Sequence, residues 1–259
     1  MRGRTAWAAA GGAAVLVLTT ATGAHAEGRG DIRVVKTVVN GGGNVIVGTS
    51  KTIRYPIDIT VKDDSGVKRL THVSTFSMAN AYGFATWDGD SSCTKKSATT
   101  SVCRATMTVD PGWIPDSDDI DTNKVAGVWQ VNATVKANNG DYWISDHIAE
   151  YKVKRAARLT TVIAPEKVAK GAKATITGKL SRANWEDLKY HGFTGRQVKL
   201  QFRKKGAAHY STVKTVTTGD AGKLTTKVAV TSAGNWRWYF PGTTTTSRKV
   251  STGDTLNLK

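Results

Sequence analysis

The chain has 259 residues, 39% of them hydrophobic and 8% aromatic, with a formal net charge of +17. One β-sandwich needs about 100 residues, so the length supplies two cores rather than one. Beyond residue 26 no stretch is apolar for the roughly 20 residues a bilayer span requires, so no transmembrane segment is expected in the mature chain.

Arg2 and Arg4 precede an apolar, Ala-rich run over residues 6–21, which leads to the small triplet Ala24, His25, Ala26. This is the pattern of a secretory signal peptide, residues 1–26, cleaved after Ala26. Gly11, Gly12, Thr19 and Thr20 interrupt the run and shorten it, which favours export over anchoring. The sequence has no twin-arginine pair and no C-terminal anchor motif, so the protein is expected to be secreted and extracellular, with or without non-covalent retention at the cell surface.

Strand signals then dominate. DIRVVKTVV is the first such run, and the glycine-rich VNGGGNVIVG after it reads as a hairpin turn, because β-branched residues rather than a helix start follow it. In TIRYPIDITVKDDSG, Ile53, Tyr55, Ile57, Ile59 and Val61 alternate with polar neighbours and stop at an Asp-Asp-Ser-Gly turn. Pro56 lacks a backbone donor, which places this strand at a sheet edge or at a bulge. VCRATMTV, GVWQVNATVK, ARLTTVIA, KATITGKL, RQVKLQFRK, STVKTVTT and LTTKVAV follow the same rule. No window of 12 or more residues carries a helical stripe, and SRANWEDLKYHG reads as a long loop. The fold class is therefore all-β, with a boundary at VKRAARLT that divides residues 27–154 from residues 155–259 by a short linker. Cys93 and Cys103 are the only cysteines, and in an exported chain a lone pair is expected to form a disulfide.

Near its end the chain reads GNWRWYFPG, four aromatic residues in a row of five. The same pattern occurs earlier, Ala126-Gly127-Val128-Trp129 against Ala233-Gly234-Asn235-Trp236. In a strand Trp236, Trp238 and Phe240 share one face, as do Trp129, Val131, Ala133 and Val135. A face that is Trp-Val-Ala-Val in one copy and Trp-Trp-Phe in the other is a core face rather than a ligand platform. Arg237 and Tyr239 are left as surface candidates.

The segments VVNGGGNVIVGTSKT, LSRANWEDLKYHGFTGRQVKLQFRKKG, YSTVKTVTT and GNWRWYFPGTTTTS resemble a group of secreted actinobacterial proteins built of immunoglobulin-like β-sandwich modules. The resemblance implies two tandem immunoglobulin-like sandwiches after the signal peptide. Some members are labelled calcium-binding, a label that comes with no ligand motif to place on these positions.

Candidate chemistry is sparse. PDSDDIDTNK concentrates carboxylates, and Asp116, Asp118 and Asp121 could converge on one calcium ion; the bland alternative is a solvated acidic turn. The loop lacks the turn glycine and the bidentate Glu of an EF-hand. Asp88 and Asp90 form a second acidic pair. Ser92 to Lys95 fits S-x-x-K without its partner motifs, and no G-x-S-x-G or H-E-x-x-H occurs, so no enzyme activity and no obligate cofactor is expected.

Charge carries the strongest functional signal. Residues 27–154 hold fifteen basic and fifteen acidic residues, whereas residues 155–259 hold twenty basic and five acidic, a net of +15. Arg196, Lys199, Arg203, Lys204 and Lys205 cluster around one strand, and Lys214, Lys223 and Lys227 are expected on neighbouring strands. Such a domain attracts polyanions or simply stays soluble. Because the protein is exported, nucleic acid is not the expected partner; an anionic cell-wall polymer or acidic polysaccharide is. The expected function is that of a non-catalytic surface or matrix protein, with a calcium-binding structural protein and a hydrolase accessory or inhibitor module, using Trp185, Tyr190 and His191, as alternatives.

Overall fold

A computed structural model describes residues 26–114 and 122–259. The proposed leader, apart from Ala26, and the aspartates Asp116, Asp118 and Asp121 lie outside the described residues. Strand is the dominant regular structure of the described chain, joined by turns, loops and short 3-10 turns.

Nine strands make up the first half: β1 (Ala26–Arg29), β2 (Arg33–Val39), β3 (Val45–Val47), β4 (Ile53–Lys62), β5 (Val67–Ser77), β6 (Ala85–Lys95), β7 (Thr100–Val109), β8 (Gly127–Ala137) and β9 (Tyr142–Arg155). One sheet has the order β1-β9-β8-β5 with β3 beside β9, and the other β2-β4-β7-β6. Alternation puts Tyr55, Ile57, Ile59 and Val61 of β4 on the inner side of one sheet and Trp129, Val131, Ala133 and Val135 of β8 on the inner side of the other. These faces form a single buried cluster, in which Phe84 meets Trp129 edge-on at 5.4 Å between ring centres.

Two expectations are corrected here. β4 is an interior strand between β2 and β7, not an edge. It accommodates Pro56 because β2 ends at Val39 opposite Ile57, so at Pro56 the strand has a neighbour, β7, on one side only. The glycine run is not a hairpin turn either. A 3-10 turn at Asn40–Gly42 lifts the chain out of β2 and delivers β3 to the opposite sheet, where it pairs in parallel with β9. Gly41 and Gly42, at φ +61° and +85°, make that exit possible.

The second half comprises β10 (Ala157–Leu159), β11 (Val162–Ala164), β12 (Lys167–Val168), β13 (Lys173–Asn184), β14 (Lys189–Gly192), β15 (Gln197–Lys204), β16 (Ser211–Thr217), β17 (Lys223–Ala229), β18 (Gly234–Phe240), β19 (Lys249–Val250) and β20 (Asp254–Leu258). ARLTTVIA is thus two strands rather than one. β13 anchors a sheet with β10, β11, β14 and β17; the facing sheet runs β12-β20-β18-β15-β16, with β19 on β18. Trp236, Trp238 and Phe240 are buried in a second cluster between them, with Trp238 fully enclosed. The aromatic run is therefore core. A Cβ on Gly178 would come within 2.8 Å of the Trp238 indole and 2.4 Å of the Thr160 carbonyl, so only glycine leaves room for that ring.

The junction is short and packed. Arg155 ends β9, Ala156 alone intervenes, and β10 begins. Arg155 is buried; its Nε donates to the Ala183 carbonyl at 2.5 Å, its backbone N–H to Thr245 at 3.0 Å, and Ala156 N–H to Val47 at 2.9 Å. Burial, with the charge of nearby Arg182, brings the Arg155 guanidinium down to about 10. The stretch expected to be a long loop is corrected. SRANWEDLKYHG forms the end of β13, a tight turn and β14, paired Asn184 to Lys189. Its Trp185 is fully buried in the first cluster, not the second, and donates from Nε1 to the Val47 carbonyl at 3.3 Å.

Candidate functional site

β15 presents Gln197, Lys199, Gln201 and Arg203 on the outer side of its sheet because Val198 and Leu200 are drawn into the core. Lys199 lies opposite Tyr239, Gln201 opposite Arg237 and Arg203 opposite Asn235 on β18, and Asn235 lies opposite Thr255 on β20. A cleft of about 420 Å³ opens at the far end of these strands, lined by Arg203, Lys204, Lys205, Asn235, Thr255 and Asn257 among others.

Asn235 and Thr255 of the cleft lining belong to a hydrogen-bonded network that continues beside the cleft. Tyr210 donates its hydroxyl to Asn235 Oδ1 at 2.6 Å, and Asn235 Nδ2 donates to Thr255 Oγ1 at 3.0 Å. The ring of Tyr210 receives two guanidinium groups, Arg237 at 3.6 Å and Arg203 at 4.8 Å from its centre. Arg237 Nε also donates to Gln201 Oε1 at 2.9 Å. Stacking on the ring and the hydrogen bond restrain both arginines, which limits the entropy lost when their remaining N–H groups engage an anion. Among the described residues none of Lys199, Arg203, Lys204, Lys205 or Arg237 is ion-paired with a carboxylate.

The structure brings Arg203, Lys204 and Lys205 together at this cleft and leaves Arg196 apart. Arg196 precedes β15 at its opposite end, about 26 Å away along an eight-residue stretch. There it stacks at 4.4 Å on Phe193, whose ring also receives Arg182 at 4.0 Å. Lys199 lies between the two ends. Lys214 is on β16, which pairs with β15 as expected, opposite Leu200; Lys223 and Lys227 are not on a neighbouring strand. β17 pairs with β13, so Lys223 and Lys227 face outward from the opposite sheet, and Lys214 turns toward that sheet to reach Thr226 Oγ1 at 3.1 Å.

Tyr210, Asn235, Thr255 and Asn257 escaped the sequence reading. Asn235 could have been found there, since it alternates with the buried tryptophans as Arg237 and Tyr239 do; the others are assembled only by strand pairing. Cys93 and Cys103, directly opposite one another on β6 and β7, form a disulfide with Cα atoms 3.9 Å apart. Asp88 is engaged by Arg54 and by Thr108 Oγ1, so it does not act with Asp90 as an open acidic pair. Ser92 to Lys95 lies in strand β6, not at a helix start. His191 is held within the hairpin by Asp187 at 2.6 Å, and Tyr190, beneath Arg158 at 3.6 Å, packs with Trp185 on the first cluster, so the β13–β14 hairpin is docked rather than protruding.

No family model matches this chain. No curated protein matches it either. Among solved structures it is similar to the D00-D0 domain of intimin, at 14% identity and TM-score 0.27, covering 85% of this chain and 99% of that one. The Yersinia pseudotuberculosis adhesin InvE overlaps at 14% identity and TM-score 0.29, over 86% of this chain and 58% of its own. A chimeric titin Z1Z2 overlaps at 12% identity and TM-score 0.25, over 91% and 97%. Overlaps this slight carry no argument about function, which has to be read from the residues.

Proposed function

We propose that this is a secreted, non-catalytic surface or matrix protein of two immunoglobulin-like modules, residues 27–154 and 155–259, whose second module adheres to an anionic cell-envelope polymer. The observation that carries the reading is the cleft at the end of β15, lined by Arg203, Lys204 and Lys205, with Arg237 beside Arg203 on the Tyr210 ring and none of the four ion-paired with a carboxylate among the described residues. Guanidinium groups bind phosphate and carboxylate oxygens in pairs, and the neighbouring amide and hydroxyl groups of Asn235, Thr255 and Asn257 add donors for sugar or polyol oxygens. Unscreened charge at the surface gives the attachment its range, about 8 Å at physiological salt.

Sedimentation with purified cell walls tests it. Binding is expected at low salt and to fall as salt rises, and Arg203→Ala with Lys204→Ala and Lys205→Ala should lower the bound fraction at least tenfold. Lys223→Ala with Lys227→Ala, on the opposite sheet, should change it by less than half as much on a logarithmic scale. Binding indifferent to salt, no binding at low salt, or equal loss from both sets of substitutions overturns the proposal.

A further inference from the structure

Three aspartates distant in sequence, Asp31, Asp63 and Asp141, bring carboxylate oxygens within 4.8 Å of one another. Asp31 follows β1, Asp63 opens the turn after β4, and Asp141 closes the turn before β9. The two turns are fastened together: Asn138 Nδ2 donates to the Ser65 carbonyl at 2.9 Å and Asn139 N–H to Ser65 Oγ at 3.1 Å. The Asp141 carboxylate lies where a side chain at position 30 would be, since a Cβ on Gly30 would come within 1.7 Å of Asp141 Oδ2.

The decisive feature is Asp63. It is 1% exposed. Its Oδ1 accepts from Ser65 N–H at 2.8 Å and Ser65 Oγ at 2.5 Å, but its Oδ2 is buried with no hydrogen-bond partner. A buried carboxylate oxygen without a donor is costly, and two more carboxylates beside it raise that cost. No lysine or arginine forms an ion pair with the three among the described residues; the Arg33 guanidinium instead donates to the Asp31 backbone carbonyl at 3.1 Å.

We propose that Asp31, Asp63 and Asp141 form a calcium site at this end of the first module. The donors are all hard oxygens, with no sulfur or imidazole, which selects against zinc. Three carboxylates supply up to six oxygens, and calcium accepts six to eight in flexible geometry, whereas magnesium requires a strict octahedron and keeps most of its water. The ion neutralises the Asp63 oxygen that no protein group reaches and ties the Asp31 segment to the two turns. The site involves neither the basic cleft nor the Asp116 to Asp121 segment, so it stands or falls apart from polymer adhesion.

Calorimetric titration of chelator-stripped full-length protein with calcium chloride, then magnesium chloride, tests it, together with thermal melts in chelator and in calcium. Saturable one-to-one calcium binding is expected, at least tenfold weaker in Asp31→Asn and in Asp141→Asn and retained when Asp116, Asp118 and Asp121 are all changed to Asn. Asp63→Asn keeps the Oδ1 acceptor and removes the unpaired charge. It should therefore melt no lower than the natural protein in chelator while losing the calcium-induced rise. Absence of calcium heat, binding that survives Asp31→Asn but is lost in the triple variant, or an Asp63→Asn melting point lowered equally with and without calcium overturns the proposal.

Discussion

The hydroxyls of Tyr55 and Tyr151 meet at 2.8 Å inside the first cluster, one from each sheet. Burial pushes both phenols up, Tyr151 well above its usual value, where the charge of Tyr55 adds to the effect. An acid whose folded pKa is raised contributes stability that is fully present below the unfolded value, near 10, and is lost as pH rises through the folded one. Stability should therefore fall above pH 10 by about 1.4 kcal/mol per pH unit for each of these tyrosines. Tyr151→Phe should cost about 1 kcal/mol at pH 7 and make the alkaline decline shallower by one tyrosine's share. Urea unfolding of both proteins between pH 8 and 11 measures this, and an unchanged slope would refute it.

At the scale of elements, the legibility of a strand follows how regularly it alternates. β4 and β8 have one face buried along their length, so their apolar residues recur at every second position and read directly from sequence. β5 and β6 gave no such signal. β5 shifts register against β8 at two places, which breaks the period of its side chains, and β6 is an edge strand, mostly exposed, with a bulge between Trp87 and Ser91. The disulfide secures that weak edge by closing a loop whose ends are 10 residues apart, a constraint on the unfolded chain of about 2–3 kcal/mol. Reduction, or Cys93→Ser with Cys103→Ser, should lower the unfolding free energy by that amount in urea titration; a loss under 0.5 kcal/mol would show that the β6–β7 pairing holds without it.

Across the whole molecule, the two buried clusters are joined by the β13–β14 hairpin, which arises from the sheet of one and inserts Trp185 into the other. Asn123 reinforces the joint through Asn184 and, at 2.6 Å, through Glu186. Trp185→Ala should cost about 3–5 kcal/mol, the range for a large aromatic removed from a core, and loosen this joint. Scanning calorimetry should then resolve two transitions where the natural protein gives one. One unsplit transition in the variant would mean that Arg155 and its backbone bonds suffice to couple the halves. The same scale governs the charge: the excess of the second half divides between the outer faces of two opposed sheets, and only part of it reaches the cleft at Arg203 to Lys205.

Composition and period two were enough to determine an all-β chain, the buried faces carrying Trp129, Trp236 and Trp238, the cysteine pair and the basic bias of the second half, because alternation is set by neighbours two positions apart and the cysteine and charge counts require no knowledge of strand pairing. Strand partners were decided only by the tertiary structure. Pairing across tens of residues put Lys223 behind the sheet and Tyr210 beneath two arginines, docked Trp185 in the other cluster, and gathered Asp31, Asp63 and Asp141 at one point. Sheet order and crossover set those distances, and no local pattern of side chains encodes them.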